Sequence, residues 1–359
     1  MRTTRNLMLG ALACAAMFGT MSAAPAQTHL KVMVFPGLSN FSIFAAEHKN
    51  LFAKHGLAVE VLNTPNSDVL RNGLAKGDHQ IAHAAIDNAV AMVELAKADV
   101  AIVTGGDNGF NHIFVQPEIN AYADLRGKTV VVDAPNTAFA LLLYKALKDA
   151  GLNKGDYAVK PVGGTTARLE AMTKDKANAA AGVLNPPFTF RASEAGLKDM
   201  GTATKAVGPY QSDGAFVMRE WAKANSDALV RYISAYVEGR RWALDPANKA
   251  EAIALLSERL KLTPQVAALA YAVATDPAEG MAKDAKFDMA GFANVLKLRA
   301  EIEGQWGGKP PAPEKYVDLS YCDRALSGLA LSKHLYNHRQ GALLRSSSEV
   351  SSPLMAKSL

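Results

Sequence analysis

The sequence predicts an α/β protein of two lobes, with the second lobe inserted into the first. Three observations support this fold class. Buried strands alternate with helices, which favours mostly parallel sheets joined by right-handed crossovers. The alternation stops at the glycine-rich stretch 105–109 and then restarts. The chain has 359 residues, 49% hydrophobic and 20% charged, which is long enough for two separate cores.

The first half of the chain contains four predicted strands. The strand 30–35 leads into an apolar helix that stops at Gly56, because glycine readily adopts the left-handed conformation at a helix C-terminus. Asn66 precedes a second helix as a typical cap. The other elements predicted here are the strand 57–62, a helix end at Gly77, the strand 80–86, the helix 87–98 and the strand 100–104.

The second half repeats this pattern from the strand 112–115. After the strand 129–132, apolar residues recur from Phe139 at i, i+3, i+4 and i+7, which predicts a helix that ends at Gly151. The later predicted elements are a strand near 157–162, a helix after Gly163-Gly164-Thr165-Thr166, strands 177–184 and 214–218, and helices from 225 to about 304 broken before Pro246, Pro264 and Pro277.

The change of pattern near 115–120 and again near 207–213 gives the expected boundaries. We place lobe 1 at 27–116 and 212–329 and lobe 2 at 117–211, with the later helices covering lobe 1. The segment 330–359 is serine-rich and lacks apolar periodicity, which predicts a disordered tail.

The N-terminus has the features of a secretory signal peptide. Arg2 and Arg5 precede a short apolar run, and Ala24-Pro25-Ala26 is a small-residue cleavage signal. We therefore expect residues 1–26 to be removed and the mature protein to be periplasmic. A lipid anchor on Cys14 is an alternative, which the short apolar run before it disfavours.

Charge and cysteine content exclude several classes. The formal net charge of +5 comes from the two ends of the chain, and the body 27–329 is formally neutral, so no nucleic-acid partner is expected. After cleavage only Cys322 remains, so we expect neither an internal disulfide nor a cysteine zinc site. His79 and His83 are four apart on a predicted strand, too far for simple chelation. We expect a monomer with no metal and no cofactor.

Three segments, at 45–57, 74–82 and 124–137, resemble the substrate-binding proteins of bacterial ABC transporters. They contain AAEHKNLFAKHGL, LAKGDHQIA, and DLRGKTVVV followed by Asn136-Thr137. The group they resemble includes binders of aliphatic sulfonates, taurine and thiamine pyrimidines. Its usual glycine before Leu51-Phe52 is Asn50 here. The order and spacing of the segments support the resemblance more than any one motif does.

The resemblance implies a two-lobed periplasmic-binding fold that closes on a solute in a cleft and delivers it to permease subunits. It implies a binding protein, not an enzyme. Asp107, beside Asn108, is a further candidate for the site. Together with the helix starts, the resemblance gives these ligand-binding residues: Ser39, Asn40, Phe41, Asp87, Asn88, Asn108, Asn136, Thr137, Thr165, Asn185 and Phe188.

The ligand class follows from opposing features of these loops. Helix N-termini favour anions, and Arg168 is the best cationic partner. However, Asp87, Asp107 and Asp133 oppose a dense anion. We therefore expect a small polar organic solute, weakly anionic or heteroaromatic, beside an aromatic ring. The polar residues at these helix starts could also be no more than helix caps.

Two other functions stay open at the sequence level. The same closing lobes could report to a sensor histidine kinase instead of a permease. An enzyme similar to a thiamine-pyrimidine synthase is a second alternative, but that family relies on a cysteine-rich motif, and this chain has two cysteines in all.

Overall fold

A computed structural model describes residues 27 to 332 of the chain. The expected signal peptide and nearly all of the expected tail lie outside the described residues and stay predictions. The predicted fold class is confirmed, since the strands form two five-stranded sheets. The strands are β1 Thr28–Val34, β2 Leu57–Asn63, β3 Ile81–Ala85, β4 Val100–Ile102, β5 His112–Val115, β6 Thr129–Val132, β7 Ala158–Pro161, β8 Ala181–Leu184, β9 Lys198–Thr202 and β10 Asp213–Met218.

The first sheet has the order β2-β1-β3-β10-β4. Its centre is parallel: Val32 of β1 lies opposite Val61 of β2 on one side and Ile81 of β3 on the other. β10 runs antiparallel to both β3 and β4. The carboxyl ends of β1 and β3 therefore meet at one edge of the sheet, where ligands bind in open α/β folds.

The second sheet has the order β7-β6-β8-β5-β9. β5 pairs antiparallel with β8 and β9, so it belongs to this sheet. This corrects the first expected boundary, which places 112–115 in lobe 1 and the first crossing at 115–120. The chain crosses between β4 and β5 and returns between β9 and β10. The first lobe is the part of the protein built on the first sheet, and the second lobe is the part built on the second sheet.

The helices connect and cover these strands. They are α1 Phe41–His48, α2 Leu51–Lys54, α3 Ser67–Lys76, α4 Asp87–Glu94, α5 Ala138–Asp149, α6 Thr165–Lys174, α7 Phe188–Glu194, α8 Arg219–Ala224, α9 Ser226–Leu244, α10 Lys249–Leu260, α11 Pro264–Ala274, α12 Met289–Glu303 and a helix α13 over 320–332. Residues 330–332 thus continue α13 and are not part of the expected tail. Among the described residues, no helix has both the length and the apolar character needed to span a membrane.

Two predicted helices differ from the expectation, since one divides in two and the other ends early. The first predicted helix divides into α1 and α2 because Asn50 adopts a left-handed conformation with φ of 53°. Asparagine tolerates this conformation better than most residues. The helix expected to reach Ala98 stops at Glu94, where Lys97 has φ of 57° and its Nζ donates to the Glu94 carbonyl at 2.9 Å.

The buried apolar residues place α9 and α12 in different roles. Tyr232 and Val237 of α9 pack with Val32 against the first sheet. Leu296 of α12 belongs instead to a cluster that includes Val90 of the first lobe and Leu142 of the second. The first sheet therefore has its own core, and α12 contributes to a core shared by both lobes.

Candidate functional site

A cavity lies between the two lobes at the edge where strands end and helices begin. We call it the inter-lobe cavity. It is lined by Phe35, Ser39, Asn40, Ser67, His83, Ala85, Asn88, Asn111, Asp133, Thr137, Ala138, Phe139, Thr165, Arg168, Asn185, Ser212 and Asp213. Most of these residues are polar, and Phe35 and Phe139 supply aromatic rings.

The turn between β1 and α1 forms one wall. The Asn40 amide Nδ2 donates to the Phe35 carbonyl at 2.7 Å, and the Ser39 hydroxyl donates to the Asp107 carboxylate at 2.9 Å. Neither side chain caps α1, because Asn40 makes no side-chain cap hydrogen bond there. The alternative that these residues are only a helix cap is therefore wrong.

Asn88 and His83 line the same wall from α4 and β3. The Asn88 amide Nδ2 donates to the Ala85 carbonyl at 3.1 Å, while its buried Oδ1 has no hydrogen-bond partner among the described residues. His83 Nε2 lies 2.9 Å from the Tyr232 hydroxyl. Burial, followed by the positive charge of Arg240, lowers the pKa of His83 to about 3. His83 is therefore a neutral group near neutral pH.

Arg168 organises the opposite wall from the first turn of α6. Its guanidinium donates to the carbonyl of Val183 at 2.9 Å, to that of Gly163 at 3.0 Å and to the Thr165 hydroxyl at 2.8 Å. Thr165 in turn donates to the Asn185 side chain at 2.6 Å. Burial lowers the pKa of Arg168 to about 10, so it stays positive at neutral pH.

Acidic residues collect where the two crossings meet. The Asp107 carboxylate accepts from the Ser39 hydroxyl and from the Gly109 amide at 3.1 Å, and burial raises its pKa to about 6. Burial, together with the Asp107 carboxylate, raises the pKa of Asp213 well above its usual range. Asp107 lies on the first crossing, and Asp213 follows the second as the first residue of β10.

The two lobes touch directly across the cavity. Gly37 has no space for a side chain, because a Cβ there would meet the Asn185 amide of the second lobe. The structure therefore shows the lobes closed on each other. The hydrogen bonds that backbone amides make between the lobes here are Leu38 N to Pro186 O at 2.9 Å, Gly164 N to Pro65 O at 2.8 Å, and Ser67 N to the Asp133 carboxylate at 3.1 Å.

Six of the eleven predicted residues line the inter-lobe cavity: Ser39, Asn40, Asn88, Thr137, Thr165 and Asn185. Phe41 and Phe188 do not, which corrects the expectation that they face the cleft. Phe41 is fully buried against Tyr271, at a ring-centroid distance of 6.4 Å, and Phe188 packs in the core of the second lobe.

Asp87, Asn108 and Asn136 also lie outside the cavity lining. The Asp87 carboxylate forms a buried ion pair with Arg299, whose Nη2 also donates to the Asn136 carbonyl at 2.8 Å. The Asn108 amide donates to the Ala278 carbonyl at 3.4 Å. All three stand at predicted loop ends, and that position alone does not determine which way a side chain points.

Sequence reasoning does not include Phe35, Phe139 or Asp213 among the site residues. Phe35 is the last residue of the predicted strand 30–35, and Phe139 lies two residues after the predicted site residue Thr137. An aromatic side chain at these places is the sequence feature that points to them. Asp213 gives no local signal, because its place depends on a strand pairing between residues far apart in the chain. Among the described residues, no group of three or more His, Cys, Asp or Glu side chains is arranged to hold a metal ion.

Comparison with known proteins gives one family and one common fold. A model of the NMT1/THI5-like family matches residues 39–250. A putative ABC transporter periplasmic binding protein of Brachyspira hyodysenteriae is 26% identical over 245 residues, which cover 63% of this chain and 68% of that protein.

Solved structures with low sequence identity share the fold. The nitrate-binding protein NrtA of Synechocystis has a TM-score of 0.71 at 15% identity, over 85% of this chain and 90% of NrtA. The alkanesulfonate-binding protein SsuA of Xanthomonas axonopodis, bound to MOPS, has a TM-score of 0.64 at 16% identity, over 84% of this chain and 99% of SsuA. A desulfurization enzyme, DszB, has a TM-score of 0.57 at 12% identity, over 83% of this chain and 99% of DszB. This fold therefore occurs in both binding proteins and an enzyme.

Proposed function

Because this chain belongs to the NMT1/THI5-like family, we propose that it is the extracytoplasmic solute-binding protein of an ABC import system. It captures one small polar organic molecule between its lobes and presents the closed form to the permease subunits. The structural neighbours named as nitrate and sulfonate binders support this use of the fold.

The observation that most supports this function is a polar cavity lined from both lobes, with backbone hydrogen bonds joining the lobes beside it. A solute held there contacts Ser39 and Asn40 on one side and Thr137 and Asn185 on the other. Such a solute stabilises the closed arrangement more than an open one, and this differential affinity is what drives closure.

The cavity walls also suit the expected solute. Phe35 and Phe139 flank it with aromatic rings, which favours the heteroaromatic class over the weakly anionic one. Arg168 is the one Lys or Arg among the described lining residues, and three of its N–H groups already bond to protein atoms. A compact anion would therefore meet few free donors.

The described lining also supports binding without catalysis. His83 bonds to Tyr232 and not to a serine or cysteine side chain, so this histidine is not paired with a nucleophile. Cys322 is buried in the core of the first lobe, away from the cavity. These placements favour the importer function over the enzyme alternative.

Mass spectrometry of the small molecules released from freshly purified protein tests the proposal. We expect one small polar solute. Added back at about a hundredfold over its Kd, it should stabilise the native state by about 2.7 kcal/mol. Asn185→Ala should lose most of this stabilisation. The exposed Asn178→Ala variant is the matched control and should retain it. If no solute is released and no added solute raises the melting temperature, the proposed function is wrong.

A further inference from the structure

The carboxyl groups around the inter-lobe cavity outnumber the positive groups. Three carboxylates lie in or directly behind its walls: Asp107, Asp133 and Asp213. Two guanidinium groups accompany them, from Arg168 and Arg240. Asp87 does not add to this imbalance, because it is paired with Arg299. With all three carboxylates ionised, one negative charge would have no compensating positive group. Burial raises the pKa of Asp107 and of Asp213, so in the ligand-free protein a proton on this pair takes the place of that positive charge.

Neither arginine can neutralise Asp213 by direct contact. Arg240 is 1% exposed, and its N–H groups donate to the Ser42 hydroxyl, the Gly106 and Ala282 carbonyls and the Tyr236 hydroxyl. Arg168 donates to Val183, Gly163 and Thr165, and the carboxylate that acts on its charge is that of Asp133. Both guanidinium groups are thus held by protein oxygens other than those of Asp213.

Asp213 lines the cavity without a side-chain donor. Its backbone is fixed, since the Gln211 amide donates to the Asp213 carbonyl at 2.7 Å. Its side chain accepts a hydrogen bond from the Gly214 backbone amide, and no side chain of the described residues donates to it. An acid that faces a cavity with no cation in contact is ionised at lower cost when a solute brings positive charge to it.

Asn88 supplies an independent second indication. Its side chain is 3% exposed and lines the same cavity, and its Oδ1 accepts no hydrogen bond from the described residues. Buried polar atoms in proteins are nearly always hydrogen-bonded, so an orphaned acceptor in a cavity wall points to a donor that arrives with the ligand.

We propose that the bound solute is an organic monocation with N–H donors, a protonated amine or amidine, whose head bonds to the Asp213 carboxylate and the Asn88 carbonyl oxygen. This inference rests on the proposed function and names its substrate class. The rings of Phe35 and Phe139 suit the apolar body of such a cation and attract its charge through their faces. Asp213 is then the residue that determines specificity for charge.

The test uses a bacterial small-molecule extract freed of metals on a chelating resin. Ion exchange at pH 7 divides it into cationic, neutral and anionic fractions, and each is added to the purified protein in a thermal unfolding assay. We expect the cationic fraction alone to raise the melting temperature. A rise with the neutral or anionic fraction overturns this inference but leaves the proposed function intact. No rise with any fraction overturns both.

A matched pair of variants locates the effect. Asp213→Asn keeps the shape of the side chain and removes its charge, and it should lose more than half of the rise in melting temperature caused by the cationic fraction. Asp78→Asn removes an exposed carboxylate outside the cavity lining and should keep the full rise. If Asp213→Asn responds to the cationic fraction as the wild-type protein does, Asp213 does not bind the solute and the proposal fails.

Discussion

At the residue scale, the main surprise is Asp87, which the sequence placed at the ligand site. Its carboxylate and the Arg299 guanidinium are 2% and 0% exposed, and they form a buried ion pair between residues 212 positions apart. Arg299 also bonds to the Asn136 carbonyl of the second lobe. The pair therefore fixes α4, α12 and the loop before α5 in one arrangement, and it is structural.

Replacing Asp87 with Asn should destabilise the protein strongly, because it leaves the Arg299 charge buried and unpaired. We expect the free energy of unfolding to fall by about 3–5 kcal/mol in urea denaturation. Asp149→Asn is the control, since the Asp149 side chain in its ion pair with Lys145 is 46% exposed, and its loss should change stability by less than about 1 kcal/mol. Equal effects of the two variants would contradict a structural role for the buried pair.

At the element scale, the turn from β1 to α1 brings the lobes together. Gly37 has φ of 155°, and a Cβ there would lie 3.2 Å from the Pro186 carbonyl oxygen in addition to meeting the Asn185 amide. The next amide, Leu38 N, donates to that same carbonyl. This close approach of two backbones is possible only without a side chain at position 37, so the glycine serves closure of the cavity.

Gly37→Ala should therefore hinder closure. We expect the Kd for the co-purifying solute to rise about tenfold or more in titration calorimetry, which corresponds to roughly 1.4 kcal/mol. Gly77→Ala is the matched control: it also replaces a glycine with positive φ, but nothing lies within 4 Å of its Cβ position. It should lower stability and leave the Kd unchanged. An unchanged Kd in Gly37→Ala would show that the lobes close without this contact.

At the scale of the whole molecule, the two crossings between the lobes meet at a pair of neighbouring acids, the buried Asp107 and the partly exposed Asp213. The Ser212 amide donates to the Asp107 carbonyl at 3.1 Å, which ties the two crossings together. The Asp107 carboxylate is buried beside Asp213, with Arg240 as the nearby positive charge. Burial makes ionisation of these acids costly in the folded protein, so solution pH affects the region that links the lobes.

Burial raises the pKa of Asp107 to about 6, which predicts how the stability of the ligand-free protein changes with pH. Its folded-state pKa lies above its ordinary value of 3.8, so the folded protein binds the proton more tightly than the unfolded chain. This contribution to stability is complete below about pH 4 and is lost as pH rises through about 6. It amounts to roughly 1–3 kcal/mol.

Asp107→Asn removes this titration. We expect the free energy of unfolding of the wild-type protein to fall relative to that of Asp107→Asn between pH 4 and pH 7 in urea denaturation. Asp78→Asn, with an exposed carboxylate, should follow the wild-type curve. Parallel wild-type and Asp107→Asn curves over this range would contradict the raised pKa.

Local patterns predicted most elements because their causes are local. The alternation of strands and helices, the helix ends at Gly56 and Gly77 and the cap at Asn66 all appear in the structure. The break at Asn50 is marked in the sequence, because the resembled group has glycine there, yet the pattern predicts a continuous helix. Asn50 has a left-handed φ, which is the backbone conformation that a glycine at this position adopts most easily.

Helix starts follow strand ends within a few positions, so local pattern is enough to predict two α/β lobes and six of the residues that line the cavity between them. Three features follow only from the folded arrangement: β5 joins the second sheet, Arg299 pairs with Asp87, and Asp213 faces the cavity. Each depends on strand pairing or charge pairing between residues distant in the chain, for which neighbouring residues give no signal.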